Sequence, residues 1–299
     1  MRPDSASPLV PFLVACAGIA TFSAMDVLMK SLSIDIGAYN AVLWRTGTGT
    51  LISGLVYLAM RPTLPDRPTM QIHAWRALFV AGMAITFFWA LARLPMAEAI
   101  ALAFVAPLMT LYMAAIFLGE KIGARSIAAS ALGLVGVIVI VAGKLGGDYP
   151  PEALWAVGAV FLSAIFYAYN LILARRQAKM AEPMEIAFFQ NLFVTLFLAV
   201  GAPWFAVFPG TGHFPAITGA AILATVSLLL LSWAYARAEA QILATTEYTG
   251  FLWAMLFGWV FYNEPVTLPT IAGAVLIVAA CLTVARKTPH GDPVEPAAA

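Results

Sequence analysis

The chain has 299 residues, 62% of them hydrophobic and 10% charged, with a mean hydropathy of +0.90 and a formal net charge of +1. Soluble domains carry about 25% charged residues, so this surface is solvated by lipid, which admits only helices or a closed barrel. The near-neutral charge supplies no basic field for nucleic acid.

The apolar runs are continuous and about 20 residues long, without the period-two alternation of barrel strands, and they predict helices. Ten spans are expected, over 9–29, 37–60, 75–92, 96–118, 126–143, 153–173, 185–207, 215–236, 241–262 and 268–285. The first matches the others in length and has no cleavage region after it, so it reads as a span and not as a removed signal peptide. Near its end Asp26 and Lys30 lie one turn apart, close enough to pair with each other. The second span carries Trp44-Arg45-Thr46-Gly47. Residues 61–74 are rich in Pro and Arg and read as a surface loop. The third span holds Phe87-Phe88-Trp89. The fourth opens on Glu98, expected at the interface where a carboxylate suits a helix N-terminus. It continues through Phe104, Ala106-Pro107-Leu108 and Tyr112. Pro107 frees a backbone carbonyl and permits a bend.

The fifth and tenth spans have no deep polar residue but hold Gly133, Gly136 and Gly143, and Gly273 and Ala279-Ala280. They read as peripheral packing helices or as the contact of a homodimer. The sixth span brings Phe166, Tyr167, Tyr169 and Asn170, and the eighth closes on Trp233 and Tyr235. The ninth contains the most polar intramembrane stretch, Thr245-Thr246-Glu247-Tyr248-Thr249-Gly250, followed by Phe251 and Trp253. Cys16 and Cys281 lie in separate apolar runs and read as small buried thiols. Residues 288–299 are too polar and Pro-rich to span and are expected to form a disordered tail.

Lys and Arg orient the chain. With the N-terminus inside, the inner connections hold Arg2, Arg61, Arg67, Arg76, Lys121, Arg125, Arg175, Arg176, Lys179, Arg237, Arg286 and Lys287; the outer ones hold Lys30, Arg93 and Lys144. Twelve against three places both termini in the cytoplasm. The chain also repeats itself. Arg237 follows Arg93, and Glu264 follows Glu120, at one fixed offset without a gap, and Gly18 to Ala24 resembles Gly158 to Ala164 at a slightly shorter one. Five spans per copy is an odd number, so the second copy enters the membrane upside down. The expected fold is an all-α membrane protein of ten transmembrane helices in two inverted five-helix repeats, 1–145 and 146–287. Carriers built this way hold one central site between halves that rock against each other.

The Arg93–Glu120 segment, with Ala106-Pro107-Leu108 in mid-span and Gly119-Glu120-Lys121 at its end, carries a resemblance to a known family, as does Tyr262-Asn263-Glu264-Pro265 before the last span. With the five-plus-five arrangement, these are similar to the drug/metabolite transporter superfamily and to its EamA-type members, over nearly the whole chain. Within that family the chain looks most like the YddG-type exporters of aromatic and other neutral amino acids, by overall likeness and aromatic content. The resemblance implies a multi-pass transporter of the bacterial inner membrane that exports small metabolites, aromatic or neutral amino acids first, by alternating access and without a cofactor. Other small organic metabolites or drugs, or passage through a passive channel, are the alternatives. The chain departs from the superfamily's small multidrug members, which rely on a central Glu in the first span; Ala20, Thr21 and Ser23 stand at that depth here.

Ionisable groups at bilayer depth are costly and point to function. Glu247 is the deepest carboxylate and shares a helix face with Leu243, Gly250, Phe251 and Ala254. It suits a substrate ammonium or a coupled proton, or else a structural bond between helices. Arg45 stays charged and needs an anion or carbonyls nearby; a substrate carboxylate, an internal partner or snorkelling would satisfy it, and EamA-type sequences often have a basic residue there. Asp26 is a candidate gate or coupling residue. Pro107, with Phe251 beside Gly250 as its counterpart, marks bent or broken helices at matching places in both halves, and Pro107 and Gly250 are gating candidates. Trp44, Phe88, Phe104, Tyr169, Asn170, Trp233, Tyr248 and Phe251 are the candidate lining for a large apolar side chain with a few polar contacts.

His73, His213 and His290 are expected in loops or tails, so no span offers paired metal-ligating histidines. The sequence has no Gly-x-Ser-x-Gly elbow and no phosphate-cradling loop. Enzymatic function is not expected, and transport is expected to run on a gradient or on exchange. Organophosphate or nucleotide-sugar ligands would call for clustered central cations, and only Arg45 approaches that depth.

Overall fold

Lipid leaves the backbone no partner but itself. Among the described residues the regular elements are helices, with no strand. The structure, a computed structural model, describes residues 9–60, 64–106, 108–109, 112–113, 124–145, 152–177, 180–235, 237, 246 and 248–285. Their ten α-helices are α1 (Leu9–Asp35), α2 (Ala38–Ala59), α3 (Arg67–Leu91), α4 (Met96–Ala103), α5 (Ala124–Leu145), α6 (Glu152–Gln177), α7 (Pro183–Phe205), α8 (Phe214–Tyr235), α9 (Thr249–Tyr262) and α10 (Leu268–Ala285). Among the described residues, five segments are long and apolar enough to cross a membrane: Leu9–Asp35, Arg67–Leu91, Glu152–Ala174, Pro183–Phe205 and Thr211–Ala234. Leu55, Trp155, Val200 and Trp259 point outward, while the inside combines many Ala with Met25, Met29, Leu32 and Leu102. Large apolar side chains on the outside fit a chain bathed in hydrocarbon. The tail from 286 onward lies outside the described residues, and Cys16 is half-buried in α1.

Two boundaries differ from the sequence reading for local reasons. The connection expected over 61–74 is shorter, because α3 begins at Arg67. Asp66 caps it by accepting from the Thr69 amide at 3.1 Å, and Pro68 occupies its first turn. Hydrogen bonds from Thr69 also hold the Asp66 carboxyl below its ordinary pKa. The fourth span does not run through: α4 ends at Ala103, Phe104 and Val105 form a turn, and helix resumes at Ala106. A proline at 107 has no N–H to give the carbonyl four residues back, which is the carbonyl at which α4 stops.

The repeat reappears in three dimensions. At the end of α3 the Arg93 guanidinium lies over the Trp89 ring at 3.9 Å and donates to the Trp89 carbonyl at 3.1 Å. At the end of α8, Arg237 does the same to Trp233, at 4.3 Å and 3.1 Å. Contacts between α1–α5 and α6–α10 include α1 with α8, α3 with α6, α2 with α7, α4 with α9 and α5 with α10. A two-fold relation that maps helix n onto helix n+5 turns the α1–α8 contact into α6–α3 and leaves the other three unchanged. The pairing pattern is therefore that of a pseudo-two-fold axis between the halves. Phe104 and Tyr248 are equivalent at the fixed repeat offset, and their rings touch edge to face at 5.5 Å. Two equivalent residues meet only on the axis.

The fifth and tenth helices, expected at the periphery, pack on each other. A Cβ at Gly136 would lie 2.7 Å from the Gly273 carbonyl, and one at Gly273 2.5 Å from the Gly136 carbonyl. Close backbone approach of this kind is how membrane helices associate without a hydrophobic driving force between them. Gly136→Leu is expected to lower the thermal midpoint in detergent through a loss of about 1–3 kcal/mol. Gly158→Leu, where a side chain would meet nothing within 4 Å, leaves it unchanged. Leu64 and Met180 precede α3 and α7 on one face of the bundle. Single cysteines there are expected to react with an impermeant thiol reagent from the same side, the cytoplasmic one; labelling from opposite sides contradicts the fold.

Candidate functional site

Among the described residues, polar groups inside the bundle gather in three clusters that bear on the site. The first is built from the end of α9. Asn263 takes the left-handed conformation (φ 54) that Asn tolerates best among non-glycine residues. The Asn263 amide bonds to the Trp259 carbonyl at 3.1 Å, and the Glu264 amide to the Gly258 carbonyl at 3.1 Å. This closes the helix and Pro265 prevents its continuation. The Glu264 side chain is thereby turned back across the halves. One oxygen accepts from Lys30 Nζ on α1, and the other from the Met96 amide at the start of α4, at 2.7 Å. Gly258 makes the space, since a Cβ there would lie 2.9 Å from Glu264 Oε2. Lys30 also donates to the Leu94 carbonyl at 2.7 Å, and the Tyr262 hydroxyl to the Val27 carbonyl at 2.6 Å. Glu98 closes the cluster, accepting from Thr270 Oγ1 on α10 at 3.3 Å.

Two expectations are corrected here. Lys30 does not pair with Asp26: it is 3% exposed and pairs with Glu264, although Asp26 sits one turn away. Glu98 is not interfacial but 3% exposed, covered by α10. In both cases tertiary packing overrides the local rule.

The second cluster lies between α1 and α2. Ser23, Asp26, Lys30 and Ser33 form a buried polar stripe along one face of α1. Asp26 is 2% exposed, and its Oδ1 has no hydrogen-bond donor. Arg45 Nε, on α2, is buried without an acceptor. The two charges act on each other electrostatically, yet no ion pair closes between them.

The third cluster occupies the opposite face. His73, expected in a loop, is on α3 and fully buried, because the capped helix starts before the apolar run does. Its ring stacks on Phe189 at 4.9 Å. Nε2 meets Glu185 Oε1 of α7 at 3.0 Å, and Nδ1 meets Gln177 Nε2 of α6 at 2.6 Å. Arg76 donates to Gln177 Oε1 and, at 2.8 Å, to Asn170 Oδ1. This network joins the first half to the second, and Asn170, expected as a polar contact of the cavity, lies at one end of it. His213 lies in a short 3-10 turn (Thr211–His213), 3.8 Å from Asp35. No metal-ligating group of His, Cys, Asp and Glu exists among the described residues.

Glu247 and Pro107 fall outside the described residues. Phe104 and Tyr248 meet on the axis, with Phe251 half-buried one turn on and Gly250 facing Ile19 of α1. Asn170 is taken by Arg76, and Tyr169 lies 4.3 Å from Phe79. Phe88 is buried in the core. Trp44 gives its indole N–H to the Val207 carbonyl at 2.9 Å and its face to Phe208 at 5.3 Å. Trp233 carries Arg237 on its ring near the opposite face. The site candidates therefore divide between the axis, where Phe104, Tyr248, Gly250 and Phe251 gather, and the two ends.

Comparison with known proteins agrees with this geometry. The model of the EamA-like transporter family matches twice, over residues 10–142 and 154–286, once per half. The chain belongs to the EamA-like transporter family. It is 30% identical to the pseudopaline exporter CntI of Pseudomonas aeruginosa, over 92% of this chain and 95% of that one. It is 28% identical to a riboflavin transporter of Rhizobium johnstonii, over 91% and 89%, and 24% identical to an S-adenosylmethionine uptake transporter of Rickettsia bellii, over 88% and 89%. A crystal structure sharing 20% identity superposes with a TM-score of 0.62, over 92% of this chain and 96% of that one, and has the same fold. This EamA-family chain is thus a multi-pass membrane transporter and not an enzyme.

Breaking a buried ion pair at one end costs about 3–5 kcal/mol, because the other charge is left uncompensated. Glu264→Gln is expected to lose that much, since an amide nitrogen then faces either Lys30 or the Met96 amide. Adding Lys30→Met removes the stranded charge, so the double variant should melt higher than Glu264→Gln alone.

Proposed function

We propose that this transporter exports, by alternating access in a bacterial inner membrane with both termini cytoplasmic, a small metabolite that carries an ammonium and a carboxylate on an apolar body. Aromatic and neutral amino acids belong to that class. The observation that supports this most is the open dyad of Asp26 and Arg45. An acidic and a basic side chain are held inside the bundle, with an unbonded acceptor on one and an unbonded donor on the other. Each is costly to bury without a partner, and a zwitterionic head group satisfies both at once. The rings of Phe104 and Tyr248 at the axis, with Phe251 beside them, suit an apolar or aromatic body. Glu247 is a further candidate for the ammonium or for a proton, on the strength of its polar stretch alone. The relatives differ in cargo and direction, so they support a small metabolite without choosing one. A second reading, export of pseudopaline or a related compound, rests on the 30% identity over nearly the full length.

Purified protein in liposomes separates these readings. Counterflow of tryptophan, phenylalanine and leucine is expected to saturate, and decarboxylated or N-acetylated analogues should not compete. Asp26→Asn and Arg45→Gln each remove a charged contact worth about 1.5–3 kcal/mol, so apparent affinity should fall about 10- to 150-fold. Transport of pseudopaline, riboflavin or S-adenosylmethionine in place of every amino acid tested would refute the amino-acid reading. Flux that stays linear in substrate would instead indicate a channel.

A further inference from the structure

The chain of hydrogen bonds through His73 fixes its protonation state. Arginine has donors and no acceptor, so the atom of Gln177 that faces Arg76 is its oxygen. The amide nitrogen of Gln177 is then the atom 2.6 Å from His73 Nδ1. An amide nitrogen only donates, so Nδ1 is an acceptor and bears no proton. The single ring proton sits on Nε2 and is donated to Glu185 Oε1 at 3.0 Å. His73 is therefore neutral in this arrangement, and both ring nitrogens are used.

A second proton has only Nδ1 to occupy. There it would point at the donor nitrogen of Gln177. Rotating the amide to present Oε1 to the ring withdraws that oxygen from Arg76 and turns the nitrogen toward another donor. The α3–α6 end of the network has one acceptor too few for a charged His73. The α7 end behaves oppositely, since an imidazolium pairs better with the Glu185 carboxylate than a neutral ring does. The other groups around the ring do not relieve the conflict. Arg76, on α3 itself, is a cation; Tyr57 of α2 lies behind Phe189, edge-on to it and stacked on Phe188; α6 contributes the uncharged Gln177 and Asn170. The ionisable groups of α1 and α4 (Asp26, Lys30 and Glu98) belong to the other end of the bundle. Both contacts of His73 join the first half to the second, so moving its grip from α6 to α7 is a change in how the halves are held.

We propose that His73 is a coupling-proton site whose protonation at Nδ1 breaks the His73–Gln177 bond and leaves Arg76 to hold this end of α6 against α3, so that this face of the transporter opens. The inference does not depend on which metabolite is carried. Spin labels on exposed residues of the two helices test it directly, with Trp75→Cys on α3 and Arg176→Cys on α6 in full-length protein with Cys16 and Cys281 replaced by Ser, in lipid nanodiscs without substrate. Distances are measured at about pH 8 and about pH 4.5, on either side of the ordinary imidazole value of about 6.5. The expected result is one short distance at the higher pH and an added, longer population at the lower. His73→Gln cannot take the proton, and its distance should not respond. Gln177→Glu supplies an oxygen to both Arg76 and the imidazolium, so it should stay closed at both pH values although His73 still titrates. That variant carries the test should His73→Gln fail to fold. A distance that is the same at both pH values in the labelled parent, or an opening that survives in either variant, overturns the proposal.

Discussion

The union of the two halves turns on the carboxylate of Glu264. It neutralises a lysine buried in α1 and occupies the N-terminus of α4, where unpaired amides and the helix dipole favour an anion. Both partners belong to the first half and the carboxylate to the second. Its position follows from backbone geometry: Asn263 in the left-handed region ends α9 and turns the next residue inward, and Gly258 leaves the room. A buried ion pair adds little net stability over an apolar contact, but half of one is strongly unfavourable. The pair therefore selects one register of α9 and α10 against α1 and α4 more than it strengthens the bundle. A carrier that opens at this face has to separate these groups, and the separated charges then require water.

The opposite face is closed by different chemistry on the same frame. At the repeat offset that matches Gly18 to Gly158, the counterpart of Lys30 is Asn170, which accepts from Arg76. A charge on one side of the axis is matched by an amide on the other. One face is held by an ion pair and a capped helix, the other by hydrogen bonds around a neutral histidine. The scaffold has a two-fold relation, yet its two closures differ in cost and in what can break them. An inverted repeat with unequal closures favours one of its two states until a proton or a ligand shifts the balance.

The architecture was legible because the repeat is written in residues that keep their roles. Arg93 and Arg237 each cap a helix by covering a tryptophan four residues back, and the spacing survives in sequence. What escaped was set by contacts far apart in the chain. Lys30 and Glu264 lie on helices that only the fold brings together, so the adjacent Asp26 looked like the natural partner. His73 was assigned to a loop because hydropathy marks where a run becomes apolar, whereas the helix starts where Asp66, Pro68 and Thr69 cap it. The helix break comes at Ala103, four residues before Pro107, and is followed by Phe104 on the axis.

Asp26 and Arg45 differ from both closures in one respect that bears on how a carrier works. They sit on α1 and α2, consecutive helices of the same half, joined by a short link through Gly37 with φ 80. When two halves rock as bodies, contacts between them are made and broken, and contacts within one half are kept. On the proposed reading, Lys30–Glu264 and His73–Gln177, which cross between the halves, change with state, and Asp26 and Arg45, within one half, keep their relation. A ligand held by that dyad would then lose no charged contact as access alternates, whereas the groups that close each face let go in turn. Differential interaction with the two states is what shifts an equilibrium. On this reading the closures supply it, and the dyad holds the same head group from one side of the membrane to the other.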